Sequence, residues 1–404
     1  MVAPTPIRVV NFDTGMPTTF LGSAPTPFDF GAAGDGTTDD STAIQNAINS
    51  LSNGGLLYFP PATYAIGTAT TITLPTAKAI TLLGSGRGDT AKAGTVLKAT
   101  AALTGGVINS GTAFIRGHRI SNMTISGNAQ AAYCLKMDAV SNASFDNLSL
   151  YDATTINFRL GDGTHQTQEN TVFMVRLDNP LTTVLANLPT YNFELNGTNN
   201  NVLNVKAANA KTANIHSSST SSNNTYQAVH GYDFFSGAAQ APTNNILIDG
   251  TGEQFVGWEG DGSSSANVQI NGFANILAMG VSQFASPLSA QIGIQFANAT
   301  SGNIAFGNVF SNSTTANMVV QAGTAAAPGN FFWGNYNGTQ GTTTASRIVT
   351  PVVVASLPSA VTALQGAYYY VSDSSVTTFH ATVAAGGGNL ISVWCDGTQW
   401  RVGG

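Results

Sequence analysis

Charge is what this sequence has least of. Only 8% of its 404 residues are Asp, Glu, Lys or Arg, against ~25% in an average soluble protein. The 14 Lys and Arg stand singly and the net charge is −6. That leaves no clustered basic surface for neutralising phosphates, which excludes a nucleic-acid partner. No run of 18 apolar residues occurs, so no membrane insertion is expected. The start, Met1-Val2-Ala3-Pro4-Thr5-Pro6-Ile7-Arg8, lacks a basic segment leading into an apolar one, so no secretory signal is expected. The two cysteines, Cys134 and Cys395, read as unpaired buried thiols of a chain folded under reducing conditions.

What is abundant is Gly, Thr, Ser and Asn, residues that form and bound β structure through turns and short hydrogen bonds. One stretch departs from this. Ile44, Ala47, Ile48 and Leu51 fall at i, i+3, i+4 and i+7, the apolar stripe of a helix over about residues 40–52. Asp39, Asp40, Ser41 and Thr42 suit its N-cap, Thr42 with Gln45 would make a capping box, and Gly54-Gly55 supplies the stop. A lone amphipathic helix ahead of a long β region needs something to cover. The open end of a β-solenoid is the simplest partner.

From residue 56 to about 337 one theme recurs: Asn followed by alternating apolar residues. Examples are Asn122-Met123-Thr124-Ile125, Asn170-Thr171-Val172-Phe173, Asn245-Ile246-Leu247-Ile248 and Asn303-Ile304-Ala305-Phe306. The starts are 20 residues apart (122 to 142), 22 (245 to 267) and, with insertions, 36 (267 to 303). Short period-2 strands at that spacing, separated by Gly, Asn and Ser, predict the stacked coils of a parallel β-helix. A propeller would need longer antiparallel blades, and a sandwich seldom runs to this length. The fold class is therefore all-β: a right-handed parallel β-helix with an N-terminal capping helix and a small C-terminal β module. Residues 1–27, with five prolines, read as an arm reaching a neighbour. Residues 28–340 read as the β-helix and residues 341–404 as the module. In the module Asp396-Gly397 between two aromatic strands predicts a hairpin.

The N-terminal stretch also resembles a known family. Gly34-Asp35-Gly36, Asp39-Asp40-Ser41, the helix from Ala43 to Ile48, and Gly54-Gly55 leading to Pro60 and Tyr64 resemble the signature of the pectate-lyase-like superfamily found in many phage tailspikes. Pro60-Pro61-Ala62 departs from that family's usual Pro-x-Gly. The ending Val393-Trp394-Cys395-Asp396-Gly397-Thr398-Gln399-Trp400-Arg401-Val402-Gly403 looks like a terminal module of phage and prophage tail proteins. The resemblance implies a tail spike or fibre carried on a virion and acting outside the host cell. It would bind bacterial surface polysaccharide, meet other virion proteins through the arm, and assemble as a homotrimer. Uncharged outer faces suit packing against copies of the same chain. Two other readings remain open, a free polysaccharide lyase or glycoside hydrolase, and a structural virion decoration protein.

Cleavage of a glycosidic bond needs two carboxyl groups roughly 5 to 10 Å apart. Glu occurs only at 169, 194, 253 and 259, so each one is informative. The densest set runs from Asp249 to Asp261; it places Glu253, Glu259 and Asp261 as candidate catalytic acids, with Trp258 and Phe255 as faces on which a sugar stacks. His230, Tyr232 and Asp233, one coil earlier, complete the candidate substrate site. A further set is Asp162, His165 and Glu169 in a Gly-rich loop. Asp138, Asp146 and Asp152 are spread one per strand or turn and form no calcium cage, so no metal and no cofactor is expected.

Overall fold

The structure is a computed structural model. It describes residues 24–67, 71–88, 94–179, 188–232, 241–283, 292–297, 300–311, 352–361 and 368–403, with short pieces at 9–10, 17–18, 316–320, 331–333, 335–337 and 365. The chain divides into two compact units, residues 1–317 with 322–342, and residues 318–321 with 343–404.

The larger unit is a right-handed parallel β-helix. Each full coil carries three strands that pair in parallel with the coil before and the coil after. In one coil these are Thr225–Gln227 on a first face, His230–Tyr232 on a second and Asn244–Ile248 on a third. Each pairs onward, to Gln254–Val256, Glu259–Asp261 and Ala266–Ile270 respectively. The third face forms a ten-stranded sheet. In earlier coils the first and second faces merge into single long strands, Arg119–Ser126 and Ser144–Tyr151.

The corner between the first and second faces is one left-handed residue followed by one that points inward. The left-handed position is held by Met174, Asn204, Ala228, Gly257, Met279 and Gly307. The inward position holds Val175, Val205, Val229 and Trp258, all buried. Core aromatics meet edge to face, Phe145 with Phe158 across one coil at 5.2 Å and Phe158 with Phe193 of the next coil at 5.3 Å.

Buried asparagines account for part of the repeated Asn of the sequence, while Asn122 and Asn142 hold left-handed turn positions outside the core. At the turn entering the first face, Asn170 Nδ2 donates to Asn200 Oδ1 and Asn200 Nδ2 to Asn224 Oδ1. The backbone N–H of Asn275 likewise donates to Asn303 Oδ1. A second ladder inside the third face runs through Asn157, Asn192, Asn214, Asn245 and Asn267, each Nδ2 donating to the next Oδ1 at 2.7–2.8 Å. Buried amides of this kind stay only because each finds its partner one coil on.

The helix Ser41–Ser50 buries Ile44, Ala47 and Ile48. Its capping differs from expectation. Asp40 stands at the N-cap, but its carboxylate accepts N–H groups of Ala33, Gly34 and Ala65 instead of capping the helix. Gln45 does not reach back to Thr42 either. Its side chain exchanges two hydrogen bonds with the Thr73 backbone, like one more strand residue on an open edge. At the other end Lys78 Nζ donates to the carbonyls of Asn49 and Leu51. The helix is thus tied to the first coil by side chains that a lone helix would have spent on itself.

Most of residues 1–27 lie outside the described residues. Val9–Val10 and Pro17–Thr18 pair antiparallel, and the Pro25 carbonyl accepts the Tyr58 N–H. The smaller unit carries an antiparallel sheet of Tyr368–Ser374, Asn389–Cys395 and Trp400–Val402. Val371, Val393, Cys395 and Trp400 form its core. Its hairpin turns at Asp396-Gly397, where Asp396 accepts the N–H groups of Thr398 and Gln399 and the Arg401 Nε–H. Cys134 and Cys395 are both buried and free.

Candidate functional site

Strand alternation divides the predicted acidic cluster between the inside and the outside of the solenoid. Glu253, Phe255 and Trp258 point inward and are fully buried. Phe255 stacks flat on Tyr226, with ring centres 4.0 Å apart. Trp258 lies over Gly280 of the next coil and donates Nε1–H to Asn308, two coils on. Neither ring offers a face to a sugar, so the stacking role expected of them is corrected. Glu253 occupies an asparagine position of the ladder, accepting from the Asn224 N–H and Nδ2–H. Its own N–H donates to Asn275 Oδ1. Burial pushes its pKa up to about 8, with hydrogen bonds from Asn224 and Ser217 offsetting only part of the rise. This glutamate is a neutral rung of the ladder, out of reach of a polymer outside.

Glu259, Asp261, His230 and Tyr232 do come together, on the outer side of the second face, where His230 pairs with Glu259 and Tyr232 with Asp261 in register. His230 Nδ1 lies 3.6 Å from Glu259 and its ring 4.7 Å from that of Tyr232. Gln283 Nε2 donates to Glu259. Burial lowers the pKa of His230, Glu259 opposing and Lys206 adding to the fall. Asp233 lies outside the described residues. Asp162 and His165 pair within their own loop at 2.7 Å, and Glu169 accepts from Asn142 on a neighbouring coil.

A denser site stands on the outer side of the third face. One outward row aligns Lys136, Arg159, Glu194 and His216, one per coil. His216 Nδ1 lies 3.2 Å from Glu194 Oε1 and Nε2 3.0 Å from Asp249 Oδ2, so the two carboxylates bracket the imidazole from opposite sides. Tyr191 stacks on the ring at 4.2 Å, and Asn271 Nδ2 donates to the other Asp249 oxygen at 2.6 Å. Burial disfavours charge on His216, but the hydrogen bonds of Asp249 and Glu194 outweigh it and raise the pKa above the ordinary value. Burial pushes Asp249 up, while His216 and Asn271 hold it below the usual carboxylate range. The His216 side chain is 7% exposed, Glu194 15% and Asp249 27%, so Asp249 is the group a ligand meets first. Farther along the row Asp138 joins Arg159 at 2.6 Å and Lys136 at 3.1 Å, with both cations over the Tyr133 ring. Among the described residues no group of three or more His, Cys, Asp or Glu is placed to hold a metal ion.

Sequence reading missed this row because its members sit one per coil, 22 to 35 positions apart (194 to 216 and 159 to 194). The signal available was the third-face register, in which the strands Ile156–Leu160, Tyr191–Leu195 and Ala213–Ser217 align Arg159, Glu194 and His216.

The model of the rhamnogalacturonase A/epimerase, pectate lyase-like family matches residues 28–278, more than half of the chain. The chain belongs to this pectate lyase-like family. No curated protein matches it. Among solved structures it is similar to ORF18 of Geobacillus virus E2, at 17% identity and TM-score 0.57, covering 93% of this chain and 75% of that one. It is also similar to the N-terminal fragment of gene product 12 of bacteriophage Phi29, at 13% identity and TM-score 0.58, covering 77% of this chain and 62% of that fragment. A third is the endo-xylogalacturonan hydrolase of Aspergillus tubingensis, at 15% identity and TM-score 0.50, covering 78% and 93%. At these identities the likeness is one of fold.

Proposed function

We propose that this chain is the β-helical body of a virion spike or fibre that binds bacterial surface polysaccharide along its third face and cleaves it there. The observation that carries the reading is the Glu194–His216–Asp249 bracket, a half-buried acid–base set beside the tyrosine–cation row of Tyr133, Lys136 and Arg159. A polymer laid along the solenoid axis meets one side chain per coil, every ~4.8 Å. In the bracket His216 carries the proton, and Asp249, the more exposed and ionised carboxylate, is placed to take the proton of a water attacking the sugar carbon while His216 gives its own to the departing glycosidic oxygen. Glu194 holds the far side of the ring and keeps the imidazole oriented. Two viral proteins and a polysaccharide hydrolase among the relatives by fold support a spike of this kind. Assembly with copies of itself and attachment through the N-terminal arm belong to the same reading.

A second reading places the acid–base pair on the second face. It is favoured by Glu259 and Asp261, two outward carboxylates two residues apart beside His230. One experiment separates them: incubate the protein with capsule or lipopolysaccharide from candidate hosts, scoring retention and new reducing ends. Retention with cleavage that Asp249→Asn abolishes and Glu259→Gln spares is the expected result. The reverse pattern moves the centre to the second face. Retention without cleavage leaves a receptor-binding spike. Neither retention nor cleavage leaves a structural protein and overturns the proposal.

A further inference from the structure

Strand register places two members of the bracket but not Asp249. Glu194 and His216 stand opposite each other on adjacent strands of the third face. On the following coil the residue that continues their row is Leu247, which is not an acid. Asp249 lies past the end of its strand, Asn244–Ile248, and comes within 3.0 Å of His216 Nε2 only through the turn that carries it. That turn is Gly250-Thr251-Gly252, and neighbouring coils clamp it. The N–H groups of Asp249 and Thr251 donate to the carbonyls of Ser217 and Ser221, and the Gly250 carbonyl accepts from Asn275 Nδ2. The space inside the turn is filled as well. A Cβ added at Gly250 would stand 2.5 Å from Ser217 Oγ and 2.8 Å from Glu253 Oε1, and both of those residues are fully buried. Gly250 is not left-handed, so space and not backbone conformation calls for glycine there.

The ladder at this turn shows where Glu253 departs from its neighbours. Its rungs run Asn170, Asn200, Asn224, Glu253, Asn275 and Asn303. Asn224, Asn275 and Asn303 each donate Nδ2 to a glycine carbonyl of the preceding coil, at Gly197, Gly250 and Gly272. Glu253 has no amide to donate and is longer by a methylene, and its Oε1 faces Gly250 of its own coil instead. The acid in this ladder thus falls on the coil whose turn carries Asp249. We infer that Glu253 is a positioning residue for Asp249: with Ser217 it backs the Gly250 turn from inside the solenoid and fixes the Asp249 carboxylate against His216. The assignment rests on the bracket being the acid–base set and names what sets its geometry. Glu253 itself exchanges no proton with a saccharide, because it is buried. It acts through Gly250, whose displacement passes directly to the adjoining Asp249, and a misplacement of about 1 Å costs on the order of 10²-fold in rate.

NMR titration of His216 and cleavage kinetics of Glu253→Asn and Glu253→Gln test this. Asn restores the residue of the other rungs but gives up the reach to Gly250, whereas Gln keeps the reach. In Glu253→Asn the His216 pKa should fall toward the ordinary 6.5 as Asp249 draws away. Its kcat should fall on the order of 10²-fold, with KM and retention of the saccharide unchanged. Glu253→Gln should keep both His216 pKa and kcat near those of the wild type. A merely structural role would lower the unfolding midpoint and leave the His216 pKa in place. Gly250→Ala disturbs the same contact from the side of the turn, so it gives the same readout should Glu253→Asn fail to fold. A His216 pKa unmoved in the folded variants, or moved equally by Asn and Gln, overturns the inference. A pKa that falls as expected in a protein that cleaves no saccharide upholds the placement of Asp249 by Glu253 and removes the cleavage reading, so the two fail separately.

Discussion

Replacing Glu253 by Gln removes a proton-dependent penalty built into the asparagine ladder. The carboxyl is enclosed between the coils of Asn224 and Asn275 and lies near the stacked Tyr226 and Phe255. It carries its proton up to a pH of about 8, against an ordinary value of 4.5. Below pH 4.5 the acid is protonated folded and unfolded, and the stability conferred by its raised pKa is fully present. As pH rises from 4.5 to about 8 the unfolded chain releases the proton and the folded chain keeps it, so that stability is progressively lost. At ~1.4 kcal/mol per pH unit, a window of about 3.5 units corresponds to ~5 kcal/mol. Gln keeps the shape and has no proton to lose, but its one carbonyl oxygen accepts only one of the two Asn224 donors and its amide faces the other, a cost that does not change with pH. The variant should therefore unfold at a lower guanidinium concentration than the wild type at pH 4.5 and gain on it steadily up to pH 8. Taking the difference between them cancels titrations elsewhere, such as that of His216. Parallel profiles across the window, or a variant that loses stability as pH rises, would refute the assignment of Glu253 as a neutral ladder member.

Two further outcomes follow from the same packing. Gly280→Ala places a Cβ 1.9 Å from Trp258 Cε2, which displaces the indole and breaks its hydrogen bond to Asn308. A loss of about 1–3 kcal/mol or more, with a red-shifted tryptophan emission, is expected, and an unchanged unfolding midpoint and spectrum would count against the inward placement of Trp258. Asp249→Asn removes one of the two carboxylates that hold the proton on His216. The pKa of that imidazole, followed by NMR, should fall toward or below 6.5. Wild-type stability linked to His216 is present below 6.5 and is lost as pH rises through its elevated folded value, so the variant should show less of that loss. An imidazole pKa unmoved by the substitution would show that Asp249 does not carry the shift.

Much of the architecture was legible because it follows from short-range pattern. Period-2 alternation after Asn marks strands that bury one side, and a spacing in the twenties is the length of chain that three short strands and their turns require. The amphipathic stripe of Ile44, Ala47 and Ile48 needed a surface to cover, and the first coil supplied one. The capping details did not follow, because Asp40 and Gln45 bond to backbone groups at Ala65 and Thr73. Competition between a helix's own N–H groups and those of a neighbouring strand cannot be read from the helix alone.

The candidate site shows the same boundary more sharply. Residue types and their alternation by themselves determined a coiled, charge-poor β structure, and they grouped Glu259 and Asp261 with His230 and Tyr232 one coil earlier, in one set with Glu253, Phe255 and Trp258. Tertiary stacking decided the rest. It turned Glu253, Phe255 and Trp258 inward and set Glu194 and Asp249 on either side of the His216 imidazole. The physical reason is that a solenoid makes neighbours of residues one coil apart, and turns of irregular length hide that distance from anyone counting along the chain.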